Sequence, residues 1–217
     1  MFRSIVLSLS LVSLVGGVTA CQAPAVQASN SMSQSFAEVG RSITRVEDSL
    51  TKIAANLELL ATVQSRDEVG SISKLFSQYQ NLNGNLTSAV KKMDEAAKAN
   101  AKQVEGYFKK RSENNATITV ESLRKTDADQ IASLQASQKS VADAYAAMKA
   151  KVETLVTDAA SFQTYLANNL NLGGVEAAGP QMQGQSDQIR SIEPMLKNVA
   201  TQYQQLSASL VPPKSGS

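Results

Sequence analysis

The sequence predicts an all-α protein, an elongated antiparallel four-helix bundle of coiled-coil type with a long central helical hairpin. Apolar residues recur at alternating spacings of three and four along most of the chain, the period of a helix with one buried stripe. Proline is absent between Pro24 and Pro180, and a proline inside a helix removes a backbone hydrogen bond. Aromatic residues make up only 5% of the chain, and no strand-like alternation of period two stands out.

The N-terminus reads as a signal rather than as part of the bundle. Arg3 is a lone positive charge, and Ile5 to Val18 form a short, serine-interrupted apolar core. A bilayer span needs about 20 apolar residues, so residues 1–20 read as a signal peptide. Val18-Thr19-Ala20-Cys21 has the form of a lipobox. Small side chains at Thr19 and Ala20 admit a peptidase, and the Cys21 thiol is the group that takes a diacylglycerol. Cys21 is the only cysteine of the chain, with Cys 1 in the composition. A mature protein beginning there has no disulfide to form and relies on packing. Residues 21–30 then read as the lipidated residue and a flexible tether. Gln22 follows the cysteine where an aspartate would favour inner-membrane retention. The expectation is a lipid-anchored protein of the bacterial cell envelope, on the outer membrane and facing the periplasm.

The bundle is expected over 31–210. Ser31 and Gln34 have capping-box spacing, and the first helix follows with the seam Phe36, Val39, Ile43, Val46, Leu50, Ile53, Leu57 and Leu60. A second capping-box pair, Ser65 and Glu68, marks a reversal. The second helix is expected from about Asp67 to Arg111, with a seam running from Val69 through Phe76, Leu86 and Met93 to Val104 and Tyr107. Asn83 and Asn100 occupy seam positions, where polar residues fix register at a cost in stability. Ser112 to Val120 is poor in helix formers and is expected to hold the hairpin tip. The third helix runs from Glu121 to about Asn169, ending in the Asn- and Gly-rich 168–174 stretch. The fourth keeps the heptad from Val175 to Leu210, but Gly179-Pro180, Gly184 and Pro194 are expected to interrupt it, with a kink or restart at Pro194. Residues 211–217 form a polar tail.

Short turns make sequential helices antiparallel. The hairpin tip then lies at the same end as the tether, toward the membrane. It carries Tyr107, Phe108, Lys109, Lys110 and Arg111, with Arg124 and Lys125 across the turn. Two readings stand: aromatics beside cations at a lipid headgroup layer, or aromatics packing the hairpin with solvated cations. At the opposite end Asn168, Asn169 and Asn171 form the most distinctive corner. They either cap the third helix and accept left-handed geometry or face a partner.

Stretches of 108–206 also resemble a family of bacterial envelope proteins of unknown function, described as coiled-coil lipoproteins. The resemblance is carried by Phe108, Leu123-Arg124, Gln130-Ile131, and Leu166 to Asn171 with Val175. Ala167 and Asn168 stand where the family has a basic residue and a histidine, and Arg111 stands near the place of a tryptophan. The resemblance implies a helical hairpin and an envelope location, and it brings no activity or catalytic residues with it.

Composition narrows the chemistry. With His 0, neither a Ser-His-Asp triad nor an imidazole metal site is available. Gly173-Gly174 lacks the Lys-Ser or Lys-Thr of a phosphate loop. The formal net charge of +2 is not that of a nucleic-acid binder. The paired acids, such as Asp94-Glu95, suit solvated helix faces. The expectation is a non-enzymatic lipoprotein with no cofactor and no metal, a structural or adaptor bundle. Its partners would be membrane lipid through acylated Cys21 and an envelope protein or a second copy. The alternative is a ligand- or cell-wall-binding periplasmic module, its pocket opening at the interrupted fourth helix.

Overall fold

The computed structural model describes residues 22–63 and 69–210. The signal segment, Cys21, the turn with Ser65 and Glu68, and the tail 211–217 lie outside them. The described residues form four helices, α1 (Gln22–Ala61), α2 (Val69–Ala116), α3 (Glu121–Asn168) and α4 (Leu172–Ser209), and no strand. Each packs against its sequence neighbour, and α1 closes the ring against α4. At 1.5 Å per residue α2 and α3 are each about 72 Å long, so the bundle is elongated as expected.

The largest interfaces are those of α1 with α4 and with α2. All eight predicted seam residues of α1 are buried, and Met32 joins them. The stripe of α4 is buried as predicted from Val175 to Leu206. On α2 the stripe drifts near the tip, where Phe108 rather than Tyr107 is buried.

Small residues bring α1 and α4 close. Ser33 donates from Oγ to the carbonyl of Ser207 at 2.9 Å. Seven residues along each helix, a Cβ added to Gly40 would sit 3.3 Å from the carbonyl oxygen of Ala200. Ala54 and Ser186 continue the same heptad positions and are buried. The intervening position holds Glu47, which pairs with Lys197 at 3.4 Å, and Glu193, which accepts from Thr51 at 3.1 Å. Sequence reading followed the large apolar residues and missed this seam of small ones.

Several boundaries differ from expectation. Residues 22–30 are helical, not a tether, and Ser31 and Gln34 lie inside α1 rather than capping it. Pro24 is compatible because it falls in the first turn, where a backbone N–H has no intrahelical acceptor. The second helix continues five residues beyond Arg111 to Ala116, which narrows the tip to 117–120. At the other end α3 stops at Asn168, and Leu172-Gly173-Gly174 open α4 rather than ending α3.

The fourth helix does not stop and restart at Gly179-Pro180, Gly184 or Pro194. Pro180 and Pro194 both lie within a continuous α4. Both are exposed, so the carbonyls they leave without a backbone donor face water. The buried stripe on the opposite face outweighs the local penalty of about 3 kcal/mol for an interior proline.

The seam asparagines bond across helices. Asn100 donates to Ser35 Oγ at 2.7 Å. Asn83 donates to the carbonyl of Ala159 at 3.3 Å and to Gln163 Oε1 at 3.0 Å. Tyr79 donates to the same carbonyl at 3.2 Å, and burial pushes its phenol up to about 12. Each bond ties one α2 residue to one level of a neighbouring helix, which is how a polar seam residue sets register.

Candidate functional site

The hairpin tip is built from a polar clasp. α2 and α3 face one another, and Arg111 reaches across to Asp127 Oδ1 at 3.0 Å and to Gln130 Oε1 at 3.1 Å. It also donates to the Tyr107 hydroxyl one turn earlier, at 3.0 Å. Burial lowers the Arg111 pKa, but Tyr107 and Asp127 outweigh that and leave it raised. Asn115 completes the clasp, donating to the carbonyl of Arg124 at 2.8 Å and to Asp127 Oδ2 at 2.9 Å. Tyr107 and Phe108 meet edge to face, with ring centroids 5.5 Å apart.

The five residues expected to act together at the tip are therefore divided. Tyr107, Phe108 and Arg111 hold the hairpin closed, and Lys109 and Lys110 are exposed. Arg124 pairs with Glu121 within α3, and Lys125 is exposed. The clasp is partly buried, with side-chain exposures of 26% and 25% for Arg111 and Asp127. Its removal is expected to act locally. Arg111→Ala should cost about 1 kcal/mol and should speed hydrogen exchange between 107 and 127. Unchanged exchange there would show that the clasp does not hold the tip.

The tip also presents apolar surface that the sequence reading overlooked. Val120 is 52% and Leu123 48% exposed. The β-branched run 117–120 signalled a weak helix, but nothing in its pattern signalled which of its side chains face outward.

At the base, the asparagines divide their work. Asn169 donates from Nδ2 to the carbonyl of Tyr165 at 3.0 Å, capping α3. Asn171 accepts from the Gly174 amide at 2.9 Å, capping α4. With φ of −129° at Asn169 and −145° at Asn171, neither is left-handed, which corrects that expectation. In this three-residue link the Asn171 amide bonds to the Asn169 carbonyl at 2.8 Å, and the Gly174 backbone packs against Asn169. Asn168 is exposed, and Leu170 and Tyr165 are 36% and 41% exposed.

The chain matches no family model, no curated protein and no solved structure. Among the described residues, no three His, Cys, Asp or Glu side chains are grouped to hold a metal ion. No described helix is long and apolar enough to cross a membrane. Tyr145 donates to Asp94 Oδ1 at 3.0 Å, and Lys149 reaches Oδ2 of the same carboxylate at 2.7 Å. Burial, then the Asp94 charge, pushes the Tyr145 phenol up. The phenol stays protonated and serves as a donor joining α2 to α3.

Proposed function

We propose that this chain is a non-enzymatic lipoprotein of the bacterial cell envelope, an adaptor or structural bundle held to the membrane through acylated Cys21. The observation that carries this reading is the Val18-Thr19-Ala20-Cys21 motif at the end of a short apolar run, directly ahead of a long helical bundle. With His 0 in the sequence, neither a Ser-His-Asp triad nor an imidazole metal site is available. Gln22 supports placement on the outer membrane, facing the periplasm.

Two chemical features favour an adaptor over a ligand-binding module. The buried stripe of α4 runs past both prolines, so the place proposed for a pocket is packed along that face. The base presents exposed Leu59, Tyr165 and Leu170 at the end away from the N-terminus of α1. Such side chains suit an envelope protein partner or a second copy.

The test is direct. Produced in a bacterium, the full chain should fractionate with membranes. Its N-terminal peptide should begin at Cys21 and carry the mass of diacylglycerol. Cys21→Ser should abolish both the modification and the membrane fractionation, because a thioether-linked lipid needs the sulfur. Wild-type protein recovered without acyl groups from the aqueous fraction would refute the reading.

A further inference from the structure

We infer that the hairpin tip is a second membrane contact, inserting Val120 and Leu123 into the interface of the bilayer that holds the Cys21 lipid. The inference rests on the lipoprotein reading for its anchor, and on the register of α1 and α2 for its geometry.

The register comes from two contacts. Asn56 of α1 meets Gln78 of α2, and Ser35 meets Asn100. Continuing the same antiparallel step places Gln22, the first residue of α1, level with about Glu113 of α2. That is about one helical turn, ~5 Å, short of the α2 end. Cys21 precedes Gln22 directly, and residues 22–30 are helical, so no long tether separates lipid from bundle. An acyl chain leaving Cys21 therefore enters the bilayer at the level of the tip. The segment 117–120 and the first turn of α3 lie beyond that level, nearer the membrane than the anchored residue.

The side chains there suit an interface. Val120 and Leu123 are each about half exposed, at 52% and 48%, while the rest of the tip is pinned by the Arg111–Asp127 clasp. A clasped tip presents these side chains without the ordering cost that a mobile loop incurs on binding. Along the last turns of α2 and the first turns of α3, Lys109, Lys110 and Lys125 are exposed, and so are Glu113 and Asp129, while exposed Arg124 pairs with Glu121. The near balance of charge means that apolar insertion, not attraction to anionic lipid, drives the contact. The exposed lysines reach the headgroup layer from its water side.

The sequence contains Trp 0, so one introduced tryptophan is the sole reporter. Val120→Trp and Leu123→Trp change exposed positions, and circular dichroism checks that the helices remain. Leu59→Trp reports the base. Each protein, purified from membranes, is reconstituted into phosphatidylethanolamine–phosphatidylglycerol vesicles containing brominated phosphatidylcholine. Where the cell has not acylated Cys21, its thiol is coupled to a maleimide phospholipid. Failure of lipidation in the cell is thus separated from failure of the tip contact.

Emission of the two tip variants should be quenched several-fold more than that of Leu59→Trp. Adding Leu123→Asp to Val120→Trp should remove the quenching while Cys21 keeps the protein on the vesicle. Swapping phosphatidylglycerol for a zwitterionic lipid should change it little. No quenching at either tip position overturns the inference. Equal quenching at tip and base also overturns it, because the bundle would then lie flat. Tip emission that shifts with protein concentration, without bromolipid quenching, would assign the tip to a second copy instead.

Discussion

Phe36→Ala is expected to lower the unfolding free energy by about 3–5 kcal/mol, the range for truncating a buried aromatic. The same change at Phe108 should cost less than that and act near the tip, because the cost depends on how far the site collapses. The two side chains are chemically identical, so the difference must come from their surroundings. Phe36 has 0% exposure and packs with the Tyr203 ring at 6.1 Å, centroid to centroid. It lies on α1, the helix with the two largest interfaces, and at a level where Ser35 and Ser33 already tie α1 to α2 and α4. Neighbours held on several sides relax little, and the cavity stays open. Phe108 is also buried, at 8%, but it lies beyond the end of α4, where fewer helices constrain its neighbours. The hairpin there can collapse into the space. Chemical denaturation of both variants, followed by circular dichroism, gives the two values. Equal losses would show that the tip is packed as tightly as the centre.

That contrast also shows which parts of the fold were legible in the sequence. The heptad spacing identified the α1 seam residue by residue, because α1 packs against both α2 and α4 and its whole apolar stripe is buried between them. It carried through α4 as well, even across Pro180 and Pro194. The error there was to weigh a local penalty without asking which face it fell on. Both prolines point to water, so the buried stripe was never in competition with them. The same physics explains the start of α1. Residues 22–30 read as a tether, yet they are helical, and in the first turn the missing N–H of Pro24 costs nothing. The Ser31–Gln34 spacing satisfied a capping rule that a helix running through it does not need.

The tip was less legible, for a different reason. Tyr107 and Phe108 are adjacent, and a period of three and four allows either to follow Val104. The Arg111 clasp decides between them by holding the Tyr107 hydroxyl at the rim. Partners at 127 and 130 are invisible to a local pattern. The Asn-rich base was recognised as a turn, but Asn171 was given to the wrong helix. The tip error arises where residues on separate helices meet, which spacing along one helix does not encode, whereas the Asn171 bond to the Gly174 amide three residues on is a local cap signal that was read onto the preceding helix.

Gly174→Ala and Gly173→Ala should change stability in opposite directions. At Gly174 an added Cβ would overlap the carbonyl oxygen of Asn169 and sit 2.8 Å from the Asn169 Cβ. The obstruction is largely backbone, so no side-chain rotation relieves it, and the Asn169–Asn171 link must open. The link is only three residues long and is fixed at both ends. The Asn169 amide bonds to Tyr165 and Leu166, and the Val175 amide bonds to Asn171 at 3.0 Å. Opening it disturbs the caps of α3 and α4 together. The expected loss is about 3 kcal/mol, the upper part of the range for forcing one carbon into a filled space. Alanine keeps the amide that Asn171 accepts from, so the loss would report sterics and not the cap bond. At Gly173 the only neighbour of an added Cβ is Asn171 Oδ1 at 3.5 Å, an ordinary contact. Replacing a helical glycine there should stabilise α4 by about 0.5–1 kcal/mol, since alanine gives up less backbone entropy on folding. Thermal unfolding of the two single variants therefore moves the midpoint down for one glycine and up for its neighbour. Two shifts of the same sign would mean that the α3–α4 link is not held against Asn169.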